Sequence, residues 1–166
     1  MMFEKNKVTL VFVAALILLA VWFFFFRGSD EGAIRGQLDK LVEVVEKDAP
    51  VSTFEALSRS RQLTKIFAKK THIEYYQARQ LSGDSDTIAS AFLSVWGQID
   101  KVAIRVHSHS VEVTESGLEA ESVFKATCNV VMNGSEQMGD TMEYRVNWIK
   151  VEGDWLIEQI VPLLAQ

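Results

Sequence analysis

Residues 140–161, DTMEYRVNWIKVEGDWLIEQIV, decide the architecture. Met142, Tyr144, Val146 and Trp148 alternate with Glu143, Arg145 and Asn147. That period of two belongs to a strand with one buried face. Glu152-Gly153-Asp154 supplies turn residues. Trp155 to Val161 then returns as a last strand, stopped by Pro162. The chain therefore closes on an antiparallel hairpin rich in aromatic side chains.

Working back, Ala120, Ser122, Phe124, Ala126, Cys128, Val130 and Met132 alternate through a long strand. Asn133-Gly134 predicts a hairpin after it, in a loop that can run to Gly139. Ser116-Gly117 turns the chain before it. Val102, Ile104 and Val106 share one parity, whereas Val111 and Val113 hold the other. The phase slips near Ser108–Ser110, which predicts a β-bulge. Earlier segments have helical spacing. Ile34, Leu38, Leu41, Val42 and Val45 mark a helix over 33–47, ended by Asp48-Ala49-Pro50. Ser52 or Thr53 caps a second helix carrying Phe54, Leu57, Leu63, Ile66 and Phe67. Arg59, Arg61, Lys65, Lys69 and Lys70 decorate it as a solvated face, with acidic partners or lipid headgroups as the functional alternative. Residues 71–77, THIEYYQ, predict a short strand. Ser82-Gly83-Asp84 predicts a turn. Residues 85–99 predict a helix that buries Ile88, Phe92, Val95, Trp96 and Ile99. The order is α-α-β-α-β-β-β-β. This is an α+β class, with about three helices packed on one face of a curved, mostly antiparallel sheet.

Residues 8–26, VTLVFVAALILLAVWFFFF, carry no charge. A helix of this length, at about 1.5 Å per residue, spans about 28 Å, close to a hydrocarbon core of roughly 30 Å. A cleaved signal peptide has a shorter apolar region and small residues at its cut site. Here the run ends in Phe23 to Phe26 and Arg27. The expected organisation is a short tail (1–7), a transmembrane signal anchor (8–26), a hydrophilic joint (27–32) and one domain (33–166). Positive charges tie across the segment, with Lys5, Lys7 and the amine against Arg27, Arg35 and Lys40. Long domains translocate largely regardless of charge, so the seven-residue tail stays behind. The expectation is a single-pass protein, in a bacterium on the inner membrane with its C-terminal domain periplasmic. A length of 166 residues fits one domain and an appendage. The net charge is −5, and without Glu4, Lys5 and Lys7 it is −6, from 15 bases and 21 acids. That balance argues against a nucleic-acid partner. The single Cys128 forms no internal disulfide.

The element order, with 140–161 as its most telling stretch, resembles the nuclear transport factor 2-like superfamily over roughly residues 31–164. That superfamily is a cone-shaped α+β fold that also includes ketosteroid isomerase. A closing hairpin with a Trp after a Gly turn, here Gly153 and Trp155, is common in it. The resemblance implies a cone-like domain and no single function, because the superfamily hosts isomerases, dehydratases, binding domains and assembly modules. Its membrane-anchored members include the periplasmic assembly subunit of type IV secretion systems and proteins associated with mycobacterial lipid transport. No motif here singles out either group.

A cone of this kind implies a pocket, and Tyr75, Tyr76, Trp96, Phe124, Tyr144, Trp148 and Trp155 are the candidate lining. Aromatics at alternating positions more often build core. In an open cavity they would hold an apolar molecule oriented by the tyrosine hydroxyls. His107 and His109, two apart on a strand, are weak metal candidates. They would need His72 or Glu112 as a third ligand, and a bulge between them would part them. No HExxH or CxxC spacing supports a metal, and no cofactor is expected. Asp100, Glu74, Glu121 and Glu143 match no catalytic pattern. Ser108 and Ser110 merely neighbour histidines, and Cys128 reads as a small core residue. No catalytic residue is assigned. The expected function is a non-enzymatic, membrane-tethered interaction or scaffold domain with a protein partner in a cell-envelope complex. The alternative is a binding domain for a small apolar ligand or lipid, followed by an isomerase or dehydratase of the same fold.

Overall fold

A computed structural model describes residues 29–75, 79–132, 134–135 and 137–163. The anchor segment 8–26, the tail 1–7 and Tyr76 lie outside the described residues. Among the described residues, no helix is long and apolar enough to cross a membrane.

Three helices, α1 (Asp30–Val45), α2 (Thr53–Leu63) and α3 (Ser85–Trp96), accompany six strands. The strands are β1 (Phe67–Tyr75), β2 (Arg79–Gly83), β3 (Ile99–Val113), β4 (Glu119–Met132), β5 (Met138–Val151) and β6 (Asp154–Leu163). They form one sheet in the order β2-β1-β6-β5-β4-β3. The β1–β6 pair is parallel, and every other pair is antiparallel. α1 packs on β3 and β6, and α3 packs on β1 and β2. This is the expected α+β architecture, helices on a mostly antiparallel sheet.

Local chemistry sets the helix starts. Ser29 Oγ accepts from the Gly32 amide at 3.2 Å, and Asp30 and Glu31 occupy the first turn of α1. Both features favour a helix N-terminus. The helix therefore begins within the expected hydrophilic joint, three residues before 33. Ser52 caps α2 and Asp84 caps α3. Asp84 thereby serves helix initiation, while Ser82 and Gly83, expected as a turn, belong to β2. That strand was not expected. It pairs with β1 from Thr71 opposite Gly83 to Tyr75 opposite Arg79.

The β5–β6 turn behaves as its residues require. Glu152 and Gly153 have φ of 53° and 93°, the two positive values of a tight type I′ hairpin. The bulge exists too, but its slip lies between Val106 and Ser108. Past it, His109 lies opposite Phe124, Val111 opposite Ser122 and Val113 opposite Ala120. The extra residue thus returns the second half of β3 to the core face. β3 is an edge strand, and the end of α1 covers it. Lys47 and Val102 exchange backbone hydrogen bonds of 3.0 and 2.8 Å, and Glu46 Oε1 accepts from the Ile104 amide at 2.7 Å. Such cover blunts an edge that would otherwise template further pairing.

Candidate functional site

The core between α1 and the sheet is built on Ile34, Leu38, Val146, Trp148, Trp155 and Ile157. Trp148 and Trp155 are only 1% and 2% exposed. A buried indole needs an acceptor, and both have one. Trp148 Nε1 donates to Ser122 Oγ at 2.8 Å, from β5 to β4. Trp155 Nε1 donates to Asp30 Oδ1 at 2.9 Å, tying β6 to the first turn of α1. Lys150 Nζ reaches the same oxygen at 2.6 Å. The hydrogen bonds from Lys150, then Trp155, hold the Asp30 carboxyl below the usual aspartate range.

Trp96 sits apart from that pair, at the far end of the helical layer. Its Nε1 donates to the Val45 carbonyl at 2.8 Å. Phe92 stacks on its ring at 5.3 Å. Lys47 Nζ lies 4.0 Å from the ring centroid and donates to the Trp96 carbonyl at 2.8 Å. Burial of Lys47 pushes its pKa down, against the opposing pull of Asp100. Arg59 lies over the same ring, pairs with Glu55 at 2.8 Å and donates to the carbonyls of Glu43, Val44 and Glu46. It was expected on a solvated face. Instead it caps the C-terminal end of α1, where orphan carbonyls need donors.

Of the remaining aromatic candidates, Phe124 and Tyr144 stack at 5.3 Å, and His109 meets Phe124 edge-on at 6.2 Å. The Tyr144 hydroxyl donates to Met142 Sδ at 3.6 Å. Burial raises the Tyr144 pKa, and Cys128 and Asp140 add to the shift. Burial also raises the Cys128 thiol, with Glu46 adding to it, so this sulfur is a poor nucleophile. His109 Nε2 is buried and has no hydrogen-bond partner among the described residues. Burial lowers the His109 pKa, Arg35 lowers it further, and Asp39 opposes both. Arg35 also donates to the His109 carbonyl at 2.6 Å. Tyr75 lies at the end of β1 and is 46% exposed.

The structure thus brings Phe124, Tyr144, Trp148 and Trp155 into one apolar cluster and leaves Trp96 and Tyr75 outside it. His107 and His109 are parted. His107 Nε2 is 2.7 Å from Thr127 Oγ1, on the opposite side of the sheet from Phe124. His72 is occupied by Ser82 at 2.7 Å and Glu74 at 3.3 Å. Among the described residues, no three His, Cys, Asp or Glu side chains are grouped to hold a metal. The acids considered for catalysis have surface contacts. Glu121 pairs with Arg145 at 3.4 Å, and Asp100 accepts from the Gly134 amide at 2.8 Å.

Clefts occur on the outside. One of about 610 Å³ is lined by Lys69, Lys70, His72, Ser82 and Glu158 at the β1–β2 edge. One of about 380 Å³ lies between α2 and α3, lined by Pro50, Val51, Leu57, Leu93 and Trp96. Neither is lined by Phe124, Tyr144, Trp148 or Trp155. Sequence reasoning missed Asp30, Lys47 and Arg59. For Arg59 a signal existed, its spacing of four from Glu55. For Asp30 there was none, because its partners lie about 120 residues away.

No family model matches the chain, and no curated protein matches it. Solved structures do. A nuclear transport factor 2-like superfamily protein from Salmonella enterica superposes with a TM-score of 0.66 at 12% identity, covering 82% of this chain and 92% of that one. A protein from Kribbella flavida gives a TM-score of 0.66 at 9% identity, over 82% of this chain and 91% of that one. A hexachlorocyclohexane dehydrochlorinase gives 0.63 at 11% identity, over 81% and 89%. Likeness at these identities establishes the fold alone. The chain has the nuclear transport factor 2-like fold, a fold whose holders include enzymes.

Proposed function

We propose that this chain is a membrane-tethered, non-enzymatic interaction domain. Residues 8–26 hold it at a bilayer, with the domain on the periplasmic side of a bacterial inner membrane. There it recruits a protein partner within a cell-envelope complex. The observation that carries this reading is the packing of the candidate pocket's two central indoles. Trp148 and Trp155 are buried in the core, and each spends its N–H on the fold itself. The attachment of α1 supports the tether. Only residues 27–29 separate the apolar run from Asp30, so Phe26 and Asp30 are at most about 14 Å apart. Asp30 is in turn locked to Lys150 and Trp155. A domain held that close meets membrane partners at high effective concentration, so a modest interface suffices.

One observation favours a second reading, a site for a small apolar molecule. His109 Nε2 lacks a partner beside the Phe124–Tyr144 stack, and a dehydrochlorinase shares the fold. In isomerase or dehydratase chemistry this histidine would be the half-buried base.

Two experiments test the tether. After alkaline carbonate extraction the full chain should stay in the membrane pellet. A cysteine placed at the exposed Ser58, in a Cys128→Ser background, should react with a membrane-impermeant maleimide in cells whose inner membrane is intact. Release into the supernatant, or labelling only after lysis, would overturn the proposed topology.

A further inference from the structure

One face of α2 has no partner among the described residues. Phe54, Leu57, Ser58, Arg61, Gln62 and Lys65 recur at helical spacing and line a cleft of about 250 Å³. All six are exposed, Phe54 at 82%. Leu57 also borders the cleft of about 380 Å³ between α2 and α3, so the apolar surface continues over Val51 and Leu93. The face is apolar at the start of α2 and cationic at its end.

Among the described residues, neither Arg61 nor Lys65 has a carboxylate within ion-pair distance, nor does Lys40, which lines the adjoining cleft with Lys65. Glu43, three residues after Lys40 on α1, and Asp154 line the same cleft. Some bases are committed, Arg59 to Glu55, Lys101 to Asp48, Arg145 to Glu121 and Lys150 to Asp30, while Lys69, Lys70, Arg79, Arg105 and Lys125 also lack a carboxylate within ion-pair distance among the described residues. In a chain of net charge −5, Arg61 and Lys65 are thus two unpaired cations on the same cleft as an exposed phenylalanine. Isolated exposed apolar residues are ordinary, but an apolar pair one turn apart that runs into an apolar cleft marks an interaction surface.

We infer that this face of α2 docks an acidic amphipathic segment of a partner protein. Its apolar side chains would lie on Phe54 and Leu57, and its carboxylates on Arg61 and Lys65. The inference deepens the interaction reading above and rests on it. Charge complementarity selects the acidic partner. α2 runs back along α1, so Phe54 lies at the opposite end of the α1–α2 hairpin from Ser29, the residue nearest the tether. α1 has 16 residues, about 24 Å at 1.5 Å each. The apolar end of the face is thereby carried away from the point where the tether leaves, which favours a protein over the bilayer.

The test uses the full chain in an uncharged detergent and three synthetic helical peptides, read by fluorescence anisotropy. One peptide carries Leu on one face and Glu on the other. The second replaces Glu with Lys, and the third replaces Leu with Ser. The Leu/Glu peptide should bind at least tenfold tighter than the other two, and added salt should weaken it. Arg61→Glu with Lys65→Glu should weaken it about tenfold, and so should Phe54→Ser with Leu57→Ser. All four positions are exposed, and an unchanged circular dichroism spectrum checks that the variants fold. Equal binding of the Leu/Lys peptide, or wild-type binding by the variants, overturns the inference. So does binding to phosphatidylglycerol vesicles in place of the peptide, or a dimer that the charge reversal abolishes while no peptide binds. If the peptides fail but native mass spectrometry still finds a bound protein, this face is wrong and the interaction reading stands. If no protein is bound either, both fall.

Discussion

Asp30 joins the first turn of α1 to the closing hairpin through one carboxylate oxygen, which Lys150 and Trp155 share. Asp30→Ala leaves the buried Trp155 indole without its acceptor, a loss of about 1–3 kcal/mol. Asp30→Asn keeps an acceptor and should lose less. Ser122→Ala strands the Trp148 indole in the same way, in a place where both residues are 1% exposed, and should cost a similar amount. Urea unfolding with an unchanged m-value would read each difference. His109 makes a pH prediction. Burial and then Arg35 lower its folded pKa, so below the ordinary histidine value of about 6.5 the unfolded chain binds the proton first. Stability is therefore full above that pH and falls as the pH drops through it toward the lowered folded value. His109→Gln should flatten this part of the profile between pH 7.5 and 5. Neither Asp30 nor His109 was legible in the sequence. The composition around Asp30 reads as a joint, and its partners are remote. Simple alternation puts His107 and His109 on one face, and an expected bulge could not be placed to the residue.

The strands of the closing hairpins were readable because each alternates cleanly and ends at a Gly turn. Gly153 is the firmest of these turn residues. At φ 93° a side chain is disfavoured, so Gly153→Ala should cost about 1–2 kcal/mol in the same unfolding assay. The Gly153 turn makes the register of β5 and β6 a local property. β2 is the opposite case. RQLSG has no β-branched residue and ends in turn formers, so only its pairing with β1 makes it a strand. The parallel alignment of β1 with β6 likewise joins segments about 90 residues apart, and no local spacing announces it. Phe67 reads as a continuation of α2, but the helix stops at Leu63 and Phe67 opens β1 opposite Ile157. The aromatic set shows the same limit. Alternation marks which residues turn inward, yet it cannot say that Trp148 and Trp155 spend their N–H groups on Ser122 and Asp30.

For the molecule as a whole, the helices-then-sheet order gives an α+β layer architecture, and its resemblance to the nuclear transport factor 2-like superfamily supplied the specific fold. Function is less accessible from either level, since this fold hosts unrelated chemistries. What distinguishes this chain is the combination of an apolar run of membrane-spanning length, three residues of spacing before a firmly docked first helix, and an interior packed with satisfied indoles. On the reading proposed above, the function lies at the surface and with a partner. Native mass spectrometry of the full-length protein, extracted from its own membrane in a mild detergent, tests that most directly. The account predicts a stoichiometric protein partner and no retained small molecule. A bound small molecule with no protein partner would contradict it and move the function into the cone, to His109, Phe124 and Tyr144.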